Sequence, residues 1–216
     1  MWNVFWKEGT ALGMLRLTMA LLFIVLATSA HSASKTILVL GDSLSAEYGI
    51  ARGAGWVTLL ERRLKQEQVD ATIVNASISG ETTSGGRARL PALLDQHRPT
   101  VVVIELGGND GLRGLPLASA EANLRAMIDE SKKSKAKVLL VGMQIPPNYG
   151  RDYAEKFISI YNKLSRETKS ALVPFLLEGI ATRPQMFQPD RIHPVAEAQP
   201  LMLENIWPQL KTLLAR

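Results

Sequence analysis

The sequence predicts a doubly wound α/β domain, and three observations predict it. The most apolar runs are short and rich in Val, Ile and Leu. Longer stretches between them carry apolar residues at helical spacing. No linker, repeat or second composition regime interrupts the alternation. Near-continuous apolar strands separated by helices indicate a parallel sheet covered on both faces.

Thr36–Leu40 is the first strand. Trp56–Gln68 reads as a helix, with Trp56, Leu59, Leu60 and Leu64 at its apolar positions. Thr72–Asn75 is a short second strand, and Gly86–Gln96 a helix with Leu90, Leu93 and Leu94 on one face. Val101–Leu106 is the third strand, almost wholly apolar. Ser119–Ser134 is a helix around Leu124 and Ile128, and Lys137–Val141 the fourth strand. Asp152–Ser170 is a long helix with Phe157, Ile160, Tyr161 and Leu164. Leu172–Phe175 is a weak fifth strand, and Ala196–Leu214 a closing helix.

The 216 residues hold 46% hydrophobic and 21% charged residues, the balance of a globular chain with a sizeable core. Residues 1–33 stand apart. Leu17–Ala30 is an uncharged apolar run, preceded by Lys7 and Arg16 and followed by small residues. That is the pattern of a secretory signal peptide, and the run is short for a span of about 20 residues. Cleavage follows Ala30 or Ala33; Ala33 is favoured because a strand begins almost at once. Met14 offers a second start, and an uncleaved anchor is the alternative. Removing 1–33 takes two positive charges and one negative one, so the formal +5 becomes +4. The expectation is a catalytic domain over 34–216, periplasmic or secreted, monomeric and not stably inserted in a membrane.

The absence of Cys excludes disulfides, a Cys nucleophile, zinc-thiolate sites and iron–sulfur clusters. With three His in the chain, a His-rich metal site is hard to build. Basic residues are scattered, no stripe or motif argues for nucleic acid, and neither G-x-G-x-x-G nor a P-loop follows any strand. No cofactor or metal is implied.

In open parallel sheets ligands bind beyond the C-terminal strand ends. There the sequence places Gly41-Asp42-Ser43-Leu44-Ser45, Ser77–Thr82, Gly107-Gly108-Asn109-Asp110 and, after a loop, Asp190-Arg191-Ile192-His193-Pro194. A serine hydroxyl needs a base within hydrogen-bond reach. Ser43, on a turn after a buried strand, is the candidate nucleophile, His193 the base and Asp190 the group that orients it. The Ser43 and Gly80 backbone N–H groups and the Asn109 amide are candidate oxyanion donors. Taken singly, each is an ordinary turn, cap or loop residue; their order and placement together carry the reading. His97, where a helix ends before the third strand, reads as structural.

Gly41-Asp42-Ser43-Leu44, Gly80, Gly107-Gly108-Asn109-Asp110 and Asp190-Arg191-Ile192-His193 resemble the four blocks of the GDSL, or SGNH, hydrolase family. The wider text, from LGDSLSAEYGI to DRIHPVAEAQP, is similar to its bacterial members acting on acyl thioesters, lysophospholipids and aryl esters. The resemblance covers the chain from Lys35 to the last helix. It implies a flavodoxin-like, five-stranded parallel sheet between helices. It also implies Ser43, Asp190 and His193 as catalytic residues and Ser43, Gly80 and Asn109 as the oxyanion hole. In this pattern Asp42 orients the nucleophile turn and Asp110 supports the segment carrying Asn109. The nucleophile is not in a G-x-S-x-G elbow, which argues against the α/β-hydrolase fold.

An acyl substrate needs an apolar cleft. Leu112, Leu115 and Pro116, with Ile145, Pro146 and Tyr149, are its candidate lining. Gly111 and Gly114 give the segment between them freedom to move. The expected substrate is a small acyl ester or thioester. The rival readings are a carbohydrate O-acetylesterase on the same triad and a non-enzymatic small-molecule binder.

Overall fold

The computed structural model describes Trp2 and residues 35–215. Apart from Trp2, the expected signal segment lies outside the described residues. Ser34–Arg216 is a compact unit. Its strands are β1 (Lys35–Gly41), β2 (Ala71–Asn75), β3 (Val101–Glu105), β4 (Lys137–Val141) and β5 (Ala171–Val173). Its α-helices are α1 (Trp56–Gln66), α2 (Thr83–His97), α3 (Gly108–Leu112), α4 (Leu117–Lys133), α5 (Arg151–Thr168) and α6 (Gln199–Ala215).

All strand pairs are parallel, in the order β2-β1-β3-β4-β5, the flavodoxin-like order. Ile37–Leu40 and Val102–Ile104 are fully buried, as expected of central strands under helices on both faces. α1 packs with α6, and α4 with α2 and α5. The chain reverses direction across the sheet between β1 and β3, and their register pairs Gly41 with Glu105. The loops leaving both strands therefore start side by side.

The departures from the sequence reading have local causes. α2 begins three residues earlier than expected. The Thr82 side chain accepts from Gly85 N–H and the Asp110 carboxylate from Thr83 N–H, so two of the N–H groups orphaned at a helix start are satisfied. α4 begins at Leu117, directly after Pro116. β5 stops at Val173 because Pro174 offers no N–H to continue the ladder. The last helix is split: Ala196–Ala198 is a 3-10 turn and α6 starts at Gln199, with Pro200 in its first turn. The segment after β3, expected as a loop, makes the one-turn helix α3. Gly107 before it has φ +114°, and a Cβ there would meet the Tyr161 hydroxyl at 2.3 Å. That hydroxyl donates to the Leu106 carbonyl at 3.0 Å, so the turn needs glycine on two counts.

Candidate active site

Ser43 is half-buried on the turn that leaves β1. The turn is closed by Ser45 and Ala46 N–H groups donating to the Asp42 carbonyl and Tyr48 N–H to that of Ser43. Asp42 Oδ1 accepts from Leu44 N–H at 3.0 Å. Beneath it lies a carboxyl that sequence reasoning passed over. Glu105, fully buried at the end of β3, accepts the Ser45 hydroxyl at 2.7 Å on Oε2 and faces Asp42 N–H at 3.4 Å. Trp56 Nε1–H donates to the same Ser45 oxygen at 3.2 Å. Glu105 Oε1 is buried with no hydrogen-bond partner among the described residues. Burial, and then the neighbouring Asp42 charge, push the Glu105 carboxyl well above the usual range. Asp42 is itself raised to about 6 by burial, against the lowering pull of Leu44 N–H, His193 and Asn109. A glutamate inside an otherwise apolar strand was the available signal.

The second half of the site comes from the loop before α6. His193 Nε2 lies 2.9 Å from Ser43 Oγ, and His193 Nδ1 lies 2.7 Å from Asp190 Oδ2. A carboxylate can only accept, so Nδ1 carries the proton and Nε2 is the acceptor for the serine hydroxyl. Asp190 Oδ1 also accepts the Ile192 and His193 N–H groups, at 2.9 and 3.0 Å. Partial desolvation raises the Asp190 pKa, but these bonds and the imidazole outweigh it and hold the carboxyl at about 2. The loop is pinned by the antiparallel Phe187–Pro194 bridge and by Gln188 N–H donating to the His193 carbonyl at 2.8 Å. Gln188 Nε2 donates to the Tyr48 carbonyl, fastening this loop to the nucleophile turn. The Tyr48 and His193 rings lie 4.3 Å apart.

The predicted oxyanion donors differ in readiness. Gly80 has φ +78° in a turn closed by Glu81 N–H on the Ile78 carbonyl. Among the described residues, the Ser43 and Gly80 N–H groups donate to no protein acceptor. Asn109 sits on α3, and its amide nitrogen is already engaged: it donates to Asp42 Oδ2 and to the Glu81 carbonyl, each at 3.0 Å. To serve an oxyanion it must release or share one of these. Arg113 Nη2 ties the neighbouring elements together, 3.0 Å from the Gly80 carbonyl and 3.4 Å from Asn109 Oδ1. Asp110 accepts both the N–H and the hydroxyl of Thr83, anchoring α3 to the start of α2.

The expected groove residues divide. Leu112 is half-buried, while Leu115, Pro116, Pro146 and Tyr149 are exposed near it. The Tyr149 hydroxyl donates to the Leu112 carbonyl at 3.0 Å and the Tyr153 hydroxyl to that of Gly111 at 3.3 Å, so the Gly111–Leu115 segment is tethered to α5 and the turn before it. Ile145 is corrected: it is 6% exposed and belongs to the core. Its side chain lies where a Cβ on Gly111 would meet it at 2.7 Å, under α3 rather than in an open groove. His97 closes α2 just before β3, at the edge of the sheet opposite the site.

Residues 39–199 match the GDSL-like Lipase/Acylhydrolase family. The chain is 53% identical over 184 residues to esterase TesA of Pseudomonas aeruginosa, covering 85% of this chain and 92% of that protein. It is 45% identical over 193 residues to thioesterase 1/protease 1/lysophospholipase L1 of Escherichia coli, covering 89% and 91%. Its fold superposes on the crystal structure of the psychrotrophic esterase EstA from Pseudoalteromonas sp., inhibited by monoethylphosphonate. The TM-score is 0.80 at 43% identity, over 84% of this chain and 100% of that one.

Proposed function

The chain belongs to the GDSL-like lipase/acylhydrolase family and is a hydrolase of carboxylic ester and thioester bonds; we propose that it works through an acyl-serine on Ser43. The observation that supports this reading is the unbroken relay Ser43–His193–Asp190, with contacts of 2.9 and 2.7 Å. Ser43 Oγ attacks the acyl carbonyl carbon while its proton passes to His193 Nε2. Asp190, charged and held by two backbone N–H groups, stabilises the imidazolium and keeps its tautomer. The free Ser43 and Gly80 N–H groups receive the developing oxyanion, and Asn109 joins them on exchanging a partner. The intermediate collapses as His193 protonates the departing alcohol or thiol. Water, deprotonated by the same nitrogen, then attacks the acyl-serine and releases the carboxylic acid and the restored Ser43.

Leu112, Leu115, Pro116, Pro146 and Tyr149 would take the acyl chain. Aryl esters, acyl thioesters and lysophospholipids are the substrates we expect, acted on by an exported, periplasmic or secreted monomer whose residues 1–33 are its signal peptide. The test is an acyl-chain-length series of p-nitrophenyl esters run on the protein and on Ser43→Ala. Turnover that rises with medium or long chains and vanishes in the variant is expected. Activity confined to acetyl would move the reading to a carbohydrate deacetylase, and retained activity in Ser43→Ala would end it.

A further inference from the structure

Within Lys35–Ala215 the exposed large hydrophobic side chains are Tyr48, Ile78, Leu115, Tyr149 and Ile192, at 38–50% relative exposure. Every one of them sits on a segment that builds the rim of the site. Tyr48 stands against the His193 ring, and Ile192 is its chain neighbour. Ile78 opens the turn that carries Gly80. Tyr149 bonds to the Leu112 carbonyl, and Leu115 follows Arg113, which bonds to Gly80. Folding leaves isolated apolar residues over a surface as a matter of course. Here they are gathered around one opening, and the acyl-chain groove accounts only for Leu115 and Tyr149.

The same segments carry Arg52, Arg113 and Arg191, all exposed. Among the described residues none of the three pairs with a carboxylate. At the exposures above, side chains of on the order of 200 Å² each present about 400 Å² of apolar surface in all, the size of the largest apolar patch on an ordinary monomer, which is often a functional one. An apolar collar with exposed cations at its margin matches the boundary between acyl chains and anionic headgroups.

We propose that this rim docks the protein on an anionic lipid surface, so that the mouth above Ser43 opens onto acyl esters held in that surface. The proposal rests on the reading of Ser43 as the nucleophile of an acyl-ester hydrolase. Tyr48, Ile78 and Ile192 seat among the upper acyl segments, and the arginines meet the phosphates.

The test measures binding apart from turnover. Residues 34–216 carrying Ser43→Ala, which contain the whole sheet and core, are co-sedimented with vesicles of equal parts phosphatidylglycerol and phosphatidylcholine. Vesicles of phosphatidylcholine alone run in parallel. Binding to the anionic vesicles is expected, weakening as salt rises from about 0.1 to 1 M. Ile78→Ser with Ile192→Ser should lower the partition coefficient about tenfold or more with an unchanged melting temperature. No binding, equal binding to neutral vesicles, or binding indifferent to the two substitutions overturns the proposal. Self-association of the unsubstituted protein in sedimentation velocity, lost in the double variant, overturns it too and gives the collar to a second copy. Hydrolysis of a water-soluble p-nitrophenyl ester by the Ser43 protein reports separately on the catalytic reading.

Discussion

Replacing Glu105 by Gln should change the pH dependence of stability far more than it changes the fold. In the folded protein the Glu105 carboxyl is fully buried, with the Ser45 hydroxyl and Asp42 N–H on Oε2 and, among the described residues, no partner on Oε1. Its pKa is raised, by burial first and by the Asp42 charge second, from an unfolded value of 4.5. Between that value and the folded-state value, the folded protein holds a proton that the unfolded chain has lost. The unfolded state then binds one proton fewer, so stability falls as pH rises, by about 1.4 kcal/mol per pH unit. Gln has the same shape, still accepts from Ser45 and has no proton to exchange. Near pH 4.5 the two proteins should agree to about 1 kcal/mol, because each leaves one buried polar atom unpartnered. Above it, the variant should gain on the parent by about 1.4 kcal/mol for each pH unit until the folded-state value is passed. Urea unfolding of both proteins at pH 5, 6, 7 and 8 reads this directly, with Asp42 common to both and largely cancelling. A stability difference that stays constant across the series refutes a buried neutral Glu105. Glu105→Ala removes the acceptor for Ser45 and opens a cavity, so it should cost about 3–5 kcal/mol near pH 4.5, a cost that shrinks at higher pH as the parent itself loses stability.

Two further expectations follow from the site and its supports. Asp190→Asn would present an amide N–H to His193 Nδ1, moving the ring proton to Nε2 and depriving Ser43 of its base; kcat on a p-nitrophenyl ester should fall on the order of 10³- to 10⁴-fold. Asp190 is held at about 2, so its contribution to stability is present above about 3.8 and is lost as pH falls from there to about 2. An acid limb of the rate profile above pH 4 therefore belongs to a group other than the Asp190 carboxyl. Gly107→Ala forces a Cβ into the left-handed region and to within 2.3 Å of the Tyr161 hydroxyl, so it should lower stability by about 2–4 kcal/mol. Tyr161→Phe in the same chain should recover part of that loss in thermal melts, and no recovery would show that the clash is not the cause.

The sheet and its chemistry-bearing edge were legible in the sequence because both rest on local, repeated signals. Val101–Ile104 can only be a buried strand, since its side chains leave no polar face for water. Gly41–Ser45, Gly107–Asp110 and Asp190–His193 are legible because parallel strands put all their C-terminal loops at one edge, whatever the distance along the chain. What the sequence left open depends on contacts that have no period. Ile145 looked like groove lining and is core, because only the packing of α3 over it decides which way it faces. The short helix α3 and the prior engagement of Asn109 by Asp42 and Glu81 depend on how two loops meet. Glu105 was hidden within an apolar run, and its place under Ser45 follows from the register that pairs it with Gly41. The exposed collar of Tyr48, Ile78, Leu115, Tyr149 and Ile192 is spread over about 150 positions and becomes one surface only when the loops converge. Patterns of hydrophobicity determine which segments are strands and where their ends point; burial, register and the pairing of polar atoms are properties of the folded neighbourhood and exist only there.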